Sequence, residues 1–158
     1  MALLPMMSLA QQRFGYVSYT LLADSMPDGI VARHQMNNLR AQYQNEMKRA
    51  EDEFNKKYEE FVQLQNSLAT PIRMKRQAEL QEMMEKNIAF KEEAQRLLQK
   101  AEQEAMAPVL ARLNEAIRQV GAERGYAFIL NTDGNAVPYI DPLLGEDITE
   151  LVLQRLAP

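Results

Sequence analysis

Between Gly29 and Gly121 the chain contains no glycine, and Pro71 and Pro108 are its only prolines there. Gln, Glu, Lys, Arg, Ala, Met and Leu, all good helix formers, fill the gap. In its first half Met36, Leu39, Tyr43, Met47, Ala50, Phe54, Tyr58, Phe61 and Leu68 recur at steps of three and four, with one gap of seven. In its second half Leu80, Met84, Ile88, Ala94, Leu98, Ala101, Ala105, Val109, Leu113, Ile117 and Val120 carry the pattern on. Each set forms one apolar stripe on a helix. Pairs of opposite charge four residues apart line the other faces: Asp52–Lys56, Glu53–Lys57, Glu82–Lys86 and Glu92–Arg96.

Thr70-Pro71 divides the two halves. Thr70 is an N-cap residue and Pro71 suits the first helical position, which predicts a reversal near residues 67–71. Helix one then covers 30–66 and helix two 71–122. At 1.5 Å per residue they reach roughly 55 Å and roughly 77 Å, longer than a small domain is wide. The antiparallel pair is therefore expected to project as a coiled-coil arm over residues 30–106. Pro108 lies inside helix two, where a missing N–H predicts a kink rather than a stop. The kink either marks the junction of arm and body or is a local irregularity.

Three strand candidates flank the arm: "RFGYVS" at 13–18, "YAFIL" at 126–130 and "AVPYI" at 136–140. Asp133-Gly134 between the last two is a hairpin turn signal. The final stretch predicts a helix with Asp147 as N-cap, Glu150 at N3, and Leu151, Val152 and Leu156 as its apolar face. Residues 11–29 and 107–158 thus form a small β-containing body. Phe14, Tyr16, Val17, Tyr126, Phe128, Ile129, Leu130, Val137 and Tyr139 would leave apolar groups on both faces of an isolated sheet with open edges. Closing it with other copies into a barrel removes the edges, so these residues are the candidate oligomerisation surface.

Chemistry-bearing patterns are missing. The sequence has no Walker loop, dinucleotide fingerprint or metal-ligand spacing, and it has no cysteine. The one histidine, His34, reads as a solvated side chain on a polar helix. Asp133, Asp141 and Asp147 read as turn and cap residues. No enzyme, cofactor or metal is implied. A net charge of −4 lacks the basic footprint of a nucleic-acid binder.

Two features point to binding. Ile72, Arg73, Met74, Lys75 and Arg76 at the expected arm tip set three bases among two flexible apolar groups, suited to acidic segments of a cargo chain or to transient contact with anionic lipid. The alternative is that they only solubilise a turn. Met36, Met47, Met83, Met84 and Met106 lie along the arm, and methionine surfaces adapt to varied apolar partners. For Met47 and Met84 ordinary coiled-coil packing is the expectation.

The first residues, "MALLPMMSLAQQ", are apolar up to Ala10, with Ser8 and Ala10 at the −3 and −1 positions of a signal-peptidase site. Residues 1–10 are read as a signal-peptide remnant or a disordered tail, outside the fold.

The order strand, long helical hairpin, "GYAFILNTDGNAVPYI" and the closing "DITELVLQRL" resembles the Skp/OmpH family of periplasmic chaperones, over about residues 13–157. The resemblance implies a mainly α chain with a small β body: a homotrimer shaped like a jellyfish, whose intersubunit β-barrel carries three arms around a cavity. It implies an ATP-independent holdase in the periplasm of a Gram-negative bacterium, with unfolded outer-membrane β-barrel proteins as partners. This chain departs from the basic character of the best-known members, with a pI near 5.1. Electrostatic grip on cargo is thereby left to Arg73, Lys75 and Arg76. A structural coiled-coil scaffold that binds a folded partner is the alternative reading. A prefoldin-like arm fits less well, because prefoldin places its strands between the helices.

Overall fold

β1 (Phe14–Val17) is the centre of a three-stranded sheet in the computed structural model, which describes residues 13–157. The expected signal remnant at residues 1–10 lies outside the described residues. After β1 the chain forms α1 (Tyr19–Ser25), α2 (Pro27–Leu64), α3 (Thr70–Arg124), β2 (Ile129–Asn131), β3 (Gly145–Asp147) and α4 (Thr149–Leu156). The molecule is mostly helical. Among the described residues the contacts form two units: one of residues 13–31 together with 106–157, the other Ala32–Ala105.

In the first unit, Ser18 ends β1 and opens α1, its Oγ accepting the Leu21 N–H at 3.1 Å. Met26 breaks α1 from α2. It precedes Pro27, which excludes the helical region for its neighbour, and its backbone is extended at φ −73° and ψ 135°. Pro27 then starts α2 at the end where a missing N–H costs nothing. The chain folds back so tightly that a Cβ on Gly29 would lie 1.9 Å from the Ala23 carbonyl oxygen. The core here combines Val17, Leu22 and Met26 with Val109, Leu113 and Val120 of α3 and with Ile148 and Val152 at the chain's end. α1 packs on α4.

The expected antiparallel hairpin over 126–140 is not formed. β2 pairs parallel to β1, with Gly15 opposite Ile129, and β3 pairs parallel on the other side, with Gly15 opposite Glu146. Residues 136–140 are not a strand. Pro138 has no N–H to give a ladder, and this was the signal against a strand there. Asp133–Asn135 form a single 3-10 turn, with Gly134 at φ 68° and Asn135 at φ 56°. The Asp133 carboxylate is taken by α1: it accepts the Ser18 hydroxyl at 2.6 Å, the Thr20 N–H at 2.9 Å and the Thr20 hydroxyl at 3.0 Å. Asp141 accepts the Leu143 N–H at 2.9 Å, and Asp147 accepts the Thr149 N–H at 3.0 Å ahead of α4. All three carboxylates serve turns, but Asp147 is not the expected N-cap: it ends β3, and Ile148 caps α4 without a side-chain bond.

In the second unit, α2 and α3 run antiparallel across a turn at residues 65–69. Tyr43 meets Phe90 at 6.0 Å between ring centres, and Asn87 donates to the Ala50 carbonyl at 3.2 Å. Ser67 holds the turn by donating to the Leu64 carbonyl from its hydroxyl at 2.8 Å. Ala69, one residue before the expected cap Thr70, accepts the first bond of α3 from Arg73. α3 continues unbroken through Pro108. The charge pairs depart partly from expectation. Glu53–Lys57 and Glu82–Lys86 form, but Asp52 pairs with Lys48 and Arg96 with Glu93, three residues away, where a guanidinium reaches both carboxylate oxygens.

Candidate functional site

Alternation along β1 sets which of the expected interface residues stay accessible. Val17 points into the core and is 1% exposed, so it serves its own unit. Phe14 is half-buried and stacks on Phe128, ring centres 5.3 Å apart, while Phe128 keeps an exposed face. Tyr16, Tyr126, Ile129, Leu130 and Val137 are half-buried. Tyr139 stands 76% exposed in the β2–β3 connection, close in sequence to the still more exposed Leu143. β2 and β3 are the outer strands, each with one edge that no strand among the described residues covers.

Polar groups at this end are bonded to one another. Glu146 of β3 accepts from Arg13 at 2.7 Å and from the Tyr126 hydroxyl at 2.5 Å. Burial, and then the bond to Glu146, raises the Tyr126 hydroxyl above its ordinary pKa. Arg155 donates to Gln119 at 3.2 Å and to Glu123, and its bond to Glu123 holds the Glu123 carboxyl below its usual range. Arg112 pairs with Asp28. Such mutual satisfaction gives these groups a structural task.

The helical pair of the second unit carries two clefts. The first lies at its turn end. Phe61, Leu64, Leu68, Ile72, Leu80 and Met83 line it, with Lys57, Glu60, Arg76 and Glu79 around them. Of the five expected tip residues, Ile72 and Arg76 are brought into this cleft; Arg73, Met74 and Lys75 are not among its lining residues. Lys75 and Arg76 both face Glu79, at 3.7 Å and 3.4 Å, so two of the three tip bases are balanced by the protein's own acid. The second cleft is farther along the pair, lined by Met47, Ala50, Phe54, Met84, Asn87 and Ile88 among others. Met84 was expected to be packed; it is 47% exposed instead, because its position follows the edge of the groove and not the seam. Tyr58, Val62, Leu64, Ile72, Met74 and Ile88 are also exposed. Phe54 and Tyr58 stack at 6.1 Å, keeping two rings together at this surface.

Periodicity alone does not reveal the first cleft, because Leu64, Ile72 and Met83 fall outside the stripes and an apolar residue beside a stripe is its signal, whereas the second cleft is lined by stripe residues Met47, Ala50, Phe54, Met84 and Ile88. His34 is exposed and lies 3.3 Å from the Asn38 amide. Among the described residues no group of acids and histidine is arranged to hold a metal ion, and no helix is long and apolar enough to cross a membrane.

A long two-helix pair joined in sequence to a small parallel sheet is the architecture of a known class. The family model for outer membrane protein (OmpH-like) matches residues 13–156. The chain belongs to the OmpH-like family, a family of chaperones and not of enzymes. In fold it is similar to the crystal structure of an OmpH-like protein from Caulobacter crescentus CB15, described as an outer membrane chaperone, with a TM-score of 0.71 and 19% identity. That match covers 93% of this chain and 85% of the other. No curated protein sequence matches the chain.

Proposed function

We propose that this protein is an ATP-independent holdase of the periplasm of a Gram-negative bacterium, working as a homotrimer on unfolded outer-membrane β-barrel proteins. The observation that carries the reading is the apolar surface left open along the helical pair. A coiled coil that served only as a strut would bury its stripe and present charge. Here Tyr58, Val62, Leu64, Ile72, Met74, Met84 and Ile88 remain exposed amid ion pairs. Family membership and the chaperone description of the Caulobacter crescentus structure support the same reading.

The sheet supports assembly with other copies of the chain. Three strands with two open edges and the exposed Phe128, Tyr139 and Leu143 would be a liability on a lone chain, and pairing with other copies removes it. With no nucleotide motif to drive a cycle, release follows from weak contacts. Many weak contacts on three arms sum to firm retention through effective concentration. Contact of the tip with anionic lipid through Arg73, Lys75 and Arg76 would be transient.

The test is dilution of a urea-unfolded β-barrel membrane protein into buffer without nucleotide. Stoichiometric trimer should suppress turbidity and yield a complex that survives gel filtration. Unchanged aggregation, with no complex, would leave the scaffold reading in its place.

A further inference from the structure

The cleft at the turn end of the α2–α3 pair combines two properties that together select an occupant. Its floor is apolar and partly open: Leu64 is 53% exposed and Ile72 49%. Its rim holds two bases and two acids, Lys57, Arg76, Glu60 and Glu79. The bases are already engaged, Arg76 with Glu79 at 3.4 Å and Lys57 with Glu53 at 3.9 Å.

We infer that this cleft seats one large uncharged side chain, aromatic or branched aliphatic, from an extended segment of an unfolded polypeptide. The inference rests on the holdase reading and names what one part of that surface recognises. An acidic side chain entering the cleft would lose water over an apolar floor and find both rim bases already engaged, while a basic one would find only the exposed Glu60 and gain little from it, so an apolar side chain is favoured. An apolar side chain covers Ile72 and Leu64 and leaves the rim pairs intact. Met83 at the floor supplies an adaptable surface and a sulfur that favours ring edges. Chains that become membrane β-barrels alternate apolar and polar residues, so an extended segment offers one such side chain at every second position. This places apolar contact, not electrostatic capture by Arg73, Lys75 and Arg76, at the end of the pair.

The test uses the full chain and two short capped fluorescent peptides. One alternates aromatic and neutral polar residues, and the other has glutamate in place of the aromatic residues. The aromatic peptide should bind with an affinity that hardly changes between low and high salt, and the glutamate peptide at least about tenfold more weakly. Ile72→Glu should weaken the aromatic peptide about tenfold, while Gln42→Glu, at an exposed polar position outside both clefts, should not. A photo-cross-linker on the aromatic residue should label the wild-type chain at the cleft, which guards against a variant that merely misfolds. Equal binding of the two peptides, an unaffected Ile72→Glu, or a second copy of this chain cross-linked at the cleft would each overturn the proposal. Wild-type chain that prevents client aggregation while showing no cleft labelling also overturns it and leaves the holdase reading standing. Cleft labelling without protection of any client does the reverse.

Discussion

Asp133 shows how one side chain can be diverted from the role its neighbours suggest. Beside Gly134 it looks like half of a hairpin turn, yet it caps α1 from across the sheet. Its carboxyl is held below the usual range, first by the Ser18 hydroxyl and next by the Thr20 N–H. A lowered folded pKa means that the contribution is full above the unfolded pKa and is lost as pH falls through the folded value. Asp133→Ala should therefore lower the thermal midpoint at neutral pH, and the gap between variant and wild type should close as the buffer is acidified below the ordinary carboxylate range. A constant gap down to strongly acid pH would mean that the cap does not depend on ionisation. The core makes a simpler claim. Leu113 and Ile148 are fully buried, so Leu113→Ala or Ile148→Ala should each cost about 2–5 kcal/mol in urea unfolding. A loss no larger than that of an exposed substitution such as Gln42→Ala would contradict the placement of this core.

At the scale of elements, the α1–α2 corner depends on a missing side chain. The Cβ of an alanine at residue 29 would meet a backbone oxygen, which cannot turn aside as a side-chain end can. Gly29→Ala should cost about 1–3 kcal/mol, seen as a lower urea midpoint with little change in slope. An unchanged midpoint would mean that the corner relaxes freely. Elements of different kinds were unequally legible in the sequence. α2 and α3 announced themselves, because periodicity over dozens of residues leaves one solution, and even the turn fell within two or three residues of its expected place. β1 was also legible. α1 was not read at all, since seven residues between Ser18 and Met26 carry too little pattern. β3 was invisible for another reason: Gly145-Glu146-Asp147 has no strand preference, and only the partner β1 makes it a strand. The apolar run 136–140 carries the stronger strand preference, but Pro138 cannot donate to a ladder. The binding surface was legible in kind and not in place. Ile72, Arg76 and Met83 carry binding signals in the sequence, but the cleft also needs Phe61, Leu64 and Leu68, which meet them only when two turns of helix are set side by side.

In the whole molecule, the proposed function places assembly in one unit and client contact in the other. Removing a matched stretch of the helical pair, residues 46–91 with a new short turn, deletes both described clefts and no strand. The shortened chain should remain folded by circular dichroism and still oligomerise, but no longer keep a client soluble. A monomeric, unfolded product would show that the division of labour is wrong. The central claim is that three copies of this chain together hold one unfolded client without nucleotide. Native mass spectrometry of the full protein, alone and after a urea-unfolded β-barrel membrane protein is diluted into it, addresses that claim directly. The account predicts a mass of three chains in the first case and of three chains plus one client in the second. A single-chain mass, or an assembly that takes up no client, would contradict it.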